Sequence, residues 1–274
     1  MKCKRMVIAM LVTILFVSFC AAPAYGFTAG FAGVDTYSSS SGSCQFGDRA
    51  GGHYVDQLYS ELWQSAYYLS TNHFGHKNAA ANKNVFSSSW SERVTFFAYA
   101  GHGLNIDSLN NAAHFFATPT PSSHSGNCYS NAATNATTSE VRLQGSLRYL
   151  NMYTCNFLFY DSTAKLNSLR SMFRGGRAIC GFASTMYLDS REGADFGRTL
   201  TTFENGVPKT IKEAFFESTS RWQPRTGRVR VTARWMGFVD AKNDSLVFPG
   251  GAVTAGRWGN VSPSDYVYEN RFYN

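Results

Sequence analysis

Two side chains with useful chemistry stand at the ends of apolar runs. The first is His102, which lies between two glycines in VTFFAYAGHGLNID, and the second is Cys155, which follows LRYLNMYT. A cysteine is an effective nucleophile only as its thiolate, and a neighbouring imidazole favours that form. The pair therefore indicates nucleophilic catalysis by a cysteine, provided that the fold brings the two residues together.

The apolar runs before these residues are typical of buried strands. Residues 94–100 are followed by Gly-His-Gly, and residues 147–154 are followed by Cys-Asn. In open α/β sheets, ligands bind at the carboxyl ends of the parallel strands, near the point where the strand order reverses. We therefore expect the two runs to be neighbouring parallel strands whose ends place His102 and Cys155 at one cleft.

The rest of the chain alternates helical and strand-like patterns. Apolar residues recur at helical spacing in YVDQLYSELWQSAYYLS, and Ser162 and Gly175 mark the start and the end of a second helix. Further helices are expected near residues 191–203 and 210–220, and further strands in RAICGFAST, in RVRVTARWMGF and around residues 112–117. This alternation predicts an α/β fold with a mostly parallel sheet that is covered on both faces.

An apolar-flanked cysteine also has a simpler interpretation, as a small buried hydrophobic residue. We adopt that interpretation for Cys180, which lies inside RAICGFAST. It would hold for Cys155 taken alone, but the Gly-His-Gly motif at an equivalent strand end makes a catalytic role the better interpretation.

Together, the two motifs resemble the clan of caspase-like cysteine peptidases that includes gingipain, clostripain and legumain. In that clan a hydrophobic strand followed by His-Gly precedes a second hydrophobic strand followed by the catalytic cysteine, as in VTFFAYAGHG and LRYLNMYTC. The resemblance implies a caspase-like three-layer α/β/α sandwich. It also implies that Cys155 is the nucleophile, that His102 protonates the leaving amine, and that the backbone N–H groups of Gly103 and Cys155 form the oxyanion hole. The Gln-Ala-Cys motif of true caspases is replaced here by Tyr153-Thr154-Cys155.

Three carboxylates follow the next strand, in YLDSREGADFG. The caspase-like clan builds its specificity pocket there and in some members binds calcium, so the resemblance implies that Asp189, Glu192 and Asp195 bind substrate and select basic residues before the scissile bond. Acidic residues also favour the start of a helix because of its dipole, and that structural alternative stays open. No metal site or other cofactor is expected, with calcium as the one ion that the resemblance allows.

The first residues have the features of a secretory signal. Three basic residues, an apolar core and a small-residue end predict a signal peptide over residues 1–26, with a lipid anchor on Cys20 as the alternative. We expect one caspase-like α/β domain over residues 27–274, with a Ser/Gly-rich extension at its start, in a secreted or extracytoplasmic protein. In that oxidising setting Cys44 and Cys128, which both lie in Gly/Ser/Asn-rich loops, are the expected disulfide.

The charge of the chain gives little sign of a charged macromolecular partner. The formal charge of +7 falls to +4 when Lys2, Lys4 and Arg5 leave with the signal, and the other basic residues are scattered. We therefore expect neither a nucleic-acid partner nor, after signal cleavage, a membrane partner. The expected partner is a polypeptide substrate, bound by a monomer.

Two functions from different classes fit these features. The first is a secreted cysteine endopeptidase, or a related amide hydrolase, that uses Cys155 and His102. The alternative is a catalytically inactive secreted binding module on the same fold, which the many aromatic residues and the long polar loop at residues 118–139 would serve.

Overall fold

The structure is a computed structural model that describes residues 26–35, 50–70, 72–105, 113–116, 135–137, 140–224, 230–247 and 266–273. Residues 1–25 of the predicted signal, together with Cys44 and Cys128, lie outside the described residues, so the signal and the disulfide stay predictions. In the described part of the chain, no helix combines the length and the apolar character that crossing a membrane requires.

A seven-stranded sheet forms the centre of the fold. In chain order the strands are β1 (Ala29–Gly33), β2 (Phe74–Lys77), β3 (Phe96–Ala100), β4 (Gly103–Asn105), β5 (Ala113–Phe116), β6 (Asn135–Thr137), β7 (Tyr149–Tyr153), β8 (Ala178–Phe182), β9 (Phe203–Glu204), β10 (Val207–Pro208), β11 (Val231–Phe238) and β12 (Tyr266–Tyr273). The central sheet has the order β2-β1-β3-β7-β8-β11-β12, and a three-stranded sheet, β4-β5-β6, and a two-stranded ribbon, β9-β10, lie outside it.

Five of the seven central strands pair with one another in parallel. The pairs β1/β2, β1/β3, β3/β7 and β7/β8 are parallel, whereas β11 pairs antiparallel with both β8 and β12. The predicted mostly parallel sheet is therefore confirmed. Strand order reverses beside β1, because the chain passes from β1 to β2 on one side and then returns to β3 on the other.

Helices and short 3-10 segments cover both faces of this sheet. The helices are α1 (Gly51–Trp63), α2 (Thr163–Ser171), α3 (Ser190–Leu200) and α4 (Ile211–Trp222). Phe196 of α3 packs on Phe96 with ring centroids 6.4 Å apart, and Phe86 of a 3-10 segment packs on Phe97, the next residue of β3, at 5.2 Å. Successive strand residues point to opposite faces, so these contacts lie on opposite sides of the sheet. The fold is thus a three-layer α/β/α sandwich, as predicted.

Local signals explain where two helices begin. The Ser162 hydroxyl accepts a hydrogen bond from the Lys165 N–H at the start of α2, and Thr210 forms a reciprocal capping box with Glu213 at the start of α4.

Helix α1 ends earlier than its apolar spacing predicts. The chain leaves the helix after Trp63 because the Leu69 N–H donates to the Phe27 carbonyl beside β1 at 2.8 Å, which helical geometry would not allow.

A buried ion pair fixes the start of β7. The Arg177 guanidinium donates two hydrogen bonds to the Asp244 carboxylate, which also accepts one from the Tyr149 hydroxyl at 2.9 Å. Asp244 is buried, whereas Asp240, the second carboxylate near Arg177, is 75% exposed at 3.5 Å. The charge of Arg177 is therefore balanced mainly by Asp244.

We expect Asp244→Asn to lower the free energy of unfolding by about 3 kcal/mol, because it leaves a largely buried guanidinium without its close counter-charge. The matched control is Asp240→Asn, which removes an exposed carboxylate beside the same guanidinium and is expected to cost under about 1 kcal/mol. Urea unfolding of the two variants measures the difference. Equal effects would show that the buried pair does not stabilise the start of β7.

Candidate active site

The ends of β3 and β7 bring the two sequence motifs to one place. The strands pair in parallel with Ala100 opposite Tyr153, and the Gly101 N–H donates to the Tyr153 carbonyl at 3.3 Å. His102 and Cys155 therefore leave the sheet at adjacent positions on the same edge, and both side chains are partly exposed. The predicted adjacency of these two strands is confirmed.

Gly103 lies directly against the backbone of Cys155. A Cβ atom at Gly103 would lie 2.1 Å from the Cys155 carbonyl oxygen and 2.8 Å from its nitrogen, and 2.9 Å from the Thr154 Cβ. Contacts this short do not occur for real Cβ atoms, so any side chain at this position would push the two segments apart. The glycine after His102 thus allows the His and Cys motifs to touch.

Met186, which no sequence motif marks, contacts the Cys155 sulfur through its main chain. The Met186 N–H donates to Sγ at 3.3 Å, and Sγ lies 3.6 Å from the Met186 carbonyl oxygen. The Asn156 N–H also donates to the Ser184 carbonyl at 3.0 Å, and Asn156 has a φ of 57°. The turn at Cys155 is therefore held by the segment that follows β8. A main-chain contact of this kind leaves no signature in the side-chain pattern, so no motif in the sequence could have pointed to Met186.

Cys180 has a different environment from Cys155. Its side chain is 2% exposed in the middle of β8, and burial raises the pKa of its thiol far above the usual value. Neither of these two cysteines is in a disulfide. Of the two, Cys155 is the one that a substrate can reach.

Behind Cys155, a buried polar cluster joins β7, α3 and the end of α4. The Gln223 amide nitrogen donates to the Tyr153 hydroxyl at 2.8 Å and to the Glu192 carboxyl at 2.7 Å, and Tyr153 also hydrogen-bonds Glu192. The Tyr153 ring stacks on Tyr54 of α1, with centroids 4.0 Å apart. We call these four residues, Tyr54, Tyr153, Glu192 and Gln223, the polar cluster.

Glu192 of this cluster is completely buried. Burial raises the pKa of its carboxyl well above the usual value, the nearby Asp195 charge raises it further, and the Gln223 hydrogen bond opposes the rise. Among the described residues, one Glu192 oxygen has no hydrogen-bond partner. The carboxyl is therefore held as a neutral acid to a higher pH than in water, and it does not reach solvent where a substrate would bind.

The other two predicted substrate-binding carboxylates also have partners within the chain. Asp189 is the N-cap of α3, where it accepts from the Arg191 N–H at 2.9 Å and pairs with the Arg191 guanidinium, whose hydrogen bonds lower the Asp189 pKa. Asp195 accepts two hydrogen bonds from Arg221, at 2.8 and 2.9 Å. These contacts fit the alternative that the carboxylates stabilise the fold. They do not support a role of the carboxylates in substrate binding, which stays a prediction.

In the ranges that the structure describes, no three His, Cys, Asp or Glu side chains are grouped closely enough to hold a metal ion. The two histidines of HFGH, which could otherwise serve as metal ligands, make aromatic contacts. His73 stacks on Tyr59 with ring centroids 5.9 Å apart, and His76 packs edge-on against Trp90 with ring centroids 4.4 Å apart. These two histidines therefore belong to aromatic packing, and the structure offers no described site for the calcium that the resemblance allows.

We expect Gly103→Ala to destabilise the protein by about 1–3 kcal/mol, as overpacking does in well-packed regions, and to change the rate at which iodoacetamide alkylates Cys155. Gly75→Ala is the matched control, because a Cβ at Gly75 meets nothing within 4 Å, and its effect should be within about 0.5 kcal/mol. Urea unfolding and intact-protein mass spectrometry provide the two measurements. A Gly103→Ala protein with wild-type stability and alkylation would contradict the close contact.

Glu192 gives a prediction about the pH dependence of stability. Because its pKa is raised on folding, the stability that its protonated form contributes is fully present below about pH 4.5, and is lost as the pH rises through the folded-state value. Glu192→Gln removes this titration, so the stability of wild type relative to the variant should fall between pH 5 and pH 8. Asp189→Asn is the control, because a carboxylate with a lowered pKa is ionised in both states over that range and gives a constant difference. Parallel curves for wild type and Glu192→Gln would contradict a buried neutral carboxyl.

The chain is similar to a solved proteinase structure and to a family of sequences. The structure is "Crystal structure of the Arg specific cysteine proteinase gingipain R (RGPB)", with a TM-score of 0.44 and 13% sequence identity, over 73% of this chain and 44% of that one. The chain therefore spans less than half of the proteinase chain. No curated protein matches the sequence. Residues 31–256, which include β3, β7 and the whole candidate site, match a family model, and the chain belongs to the family described as "Domain of unknown function (DUF6345)".

Proposed function

We propose that this protein is a cysteine hydrolase of amide bonds, with polypeptides as its substrates, in which Cys155 is the nucleophile and His102 the general acid and base. The observation that carries the proposal is the contact of Gly103 with the Cys155 backbone at the ends of β3 and β7. It brings a histidine and a partly exposed cysteine to one edge of a parallel sheet, where α/β proteins bind ligands.

The proposed reaction uses groups that are all at this edge. The Cys155 thiolate attacks the carbonyl carbon, the C–S bond forms and the carbonyl electron pair moves to oxygen. The N–H groups of Gly103 and Cys155 are the proposed donors to that oxyanion, and each such donor is worth about 3 kcal/mol in studied enzymes. His102, which took the proton from the thiol, gives it to the amine nitrogen as the oxyanion re-forms the carbonyl and the C–N bond breaks. Water then attacks the thioester, the C–S bond breaks, and the acid and the thiol are released.

The hydrogen bond from Met186 supports this assignment. An N–H group at 3.3 Å from Sγ interacts more strongly with an anionic sulfur than with a neutral one, because hydrogen bonds to charged acceptors are the stronger ones. The buried Cys180 has no comparable position at the sheet edge. The Met186 carbonyl oxygen, which lies 3.6 Å from Sγ and accepts from the thiol, has the opposite effect. Because the N–H is the closer of the two groups, the site favours a thiolate at Cys155.

The proposal does not assign a preference for basic residues to the three carboxylates after β8. Glu192 is buried in the polar cluster, and Asp195 is already paired with Arg221. A substrate cation would have to displace that guanidinium or the Arg191 that pairs with Asp189. Selectivity for Arg or Lys by these carboxylates would therefore require a rearrangement of these pairs.

The predicted signal peptide favours a substrate outside the cytoplasm.

The experiment is a peptide-library digestion by the protein without its first 26 residues, with each product identified by mass spectrometry. We expect cleavage that falls by at least about 10²-fold in His102→Ala and by more in Cys155→Ser. His73→Ala and Cys180→Ala are the matched controls, since they remove the same side-chain types outside the site, and they should retain activity. If the wild type cleaves no peptide and an acylating thiol reagent modifies Cys155 no faster than an unfolded cysteine, the hydrolase proposal fails and the inactive binding module is favoured.

A further inference from the structure

Gln223, the residue that follows α4, pairs with the main chain of Tyr187 as one strand pairs with another. The Tyr187 N–H donates to Gln223 Oε1 at 3.0 Å, and Gln223 Nε2 donates to the Tyr187 carbonyl at 2.8 Å. The Gln223 side chain is 2% exposed. A buried side chain thus satisfies both main-chain groups of a residue 36 positions away in the chain.

The polar cluster fixes which way the Gln223 amide faces. Its Nε2 atom is near three oxygens, those of the Tyr187 carbonyl, the Tyr153 hydroxyl and the Glu192 carboxyl. An NH₂ group suits that environment and a carbonyl oxygen does not. The Oε1 atom is therefore held toward the Tyr187 N–H.

The same peptide unit contacts the Cys155 sulfur. The Tyr187 N–H and the Met186 carbonyl belong to one planar peptide group, and the Met186 carbonyl oxygen lies 3.6 Å from Sγ. The Met186 N–H, in the preceding peptide group, donates to Sγ at 3.3 Å. The Gln223 amide thus binds the N–H edge of this peptide group, and the opposite edge, which carries the Met186 carbonyl oxygen, faces the sulfur.

We propose that Gln223 is a positioning residue for Cys155, which it orients through the Met186–Tyr187 main chain. The effect on catalysis rests on the function proposed above, whereas the effect on the thiol does not. Without the amide, the segment loses two hydrogen bonds, and the Met186 N–H is no longer held at the sulfur. The thiolate of Cys155 is then less favoured at neutral pH.

The test measures the rate of Cys155 alkylation by iodoacetamide as a function of pH. In Gln223→Met, which has similar volume and no amide, we expect the alkylation profile to move to higher pH and the rate at pH 7 to fall about tenfold, since one charge-assisted hydrogen bond is lost. The profile reports on thiolate formation, so a loss of stability alone leaves it in place. The titratable groups near the amide, Tyr153, Tyr187 and Glu192, and His102 at the same sheet edge as Cys155, are present in both proteins.

Thr219→Val is the matched control. Thr219 is a buried residue of α4, the helix that Gln223 follows, and its hydroxyl hydrogen-bonds the Tyr273 hydroxyl at 2.9 Å and not the 186–187 segment. We expect it to lower stability and leave the alkylation profile of Cys155 unchanged. Equal profiles for Gln223→Met and wild type, or equal shifts in both variants, would overturn the proposal.

The outcomes for positioning and for function can be separated. A shifted profile in Gln223→Met supports positioning, and it rejects the hydrolase as well if the wild type cleaves no peptide and its Cys155 reacts with the acylating reagent no faster than an unfolded cysteine. Cleavage by wild type with an unchanged profile and turnover in the variant rejects positioning and leaves the hydrolase. If Gln223→Met does not fold, amide hydrogen exchange of the wild type decides. Protection of the Tyr187 N–H supports its hydrogen bond to Gln223 and the positioning role, and exchange at the rate of an open loop overturns them.

Discussion

The parallel pairing of β3 with β7 is the interaction on which the rest of the site depends. Its register puts Ala100 opposite Tyr153, so the two chains leave the sheet side by side. A side chain at Gly103 would prevent the next contact, in which this residue touches the Cys155 backbone. A one-residue slip of the register would turn β7 over and move its polar face into the opposite layer. The pairing therefore sets both the position of the two motifs and the surroundings of the cysteine.

One face of β7 explains how that register is held. Its three alternate side chains are polar, and each hydrogen-bonds a different part of the fold: Tyr149 contacts Asp244, Asn151 contacts Tyr54 of α1, and Tyr153 contacts Gln223. Buried polar groups are costly unless they are paired. A slipped strand would lose all of these partners at once, so the polar face specifies the register more sharply than apolar packing alone.

The polar cluster also connects stability with the candidate chemistry. Glu192 is buried and forms no ion pair with any described residue, and its hydrogen bonds reach Tyr153 of β7 and Gln223 at the end of α4. The same Gln223 amide binds the main chain next to Met186, which contacts the sulfur. Low dielectric strengthens such a network when its members are paired and penalises it when they are not. A change at α4 can thus reach Cys155 without touching it.

The sequence by itself determined the elements whose signals are local. Apolar runs predicted β3, β7 and β8, and the Ser162 cap predicted the start of α2, because periodicity and capping act over a few residues. The tertiary structure decided the rest. Strand β1, AGFAG, has little intrinsic strand preference and becomes a central strand by pairing with both β2 and β3. The family resemblance implied that Glu192 binds substrate beside the cysteine, but its burial and its contact with Gln223 arise between segments more than 30 positions apart, which no local pattern encodes.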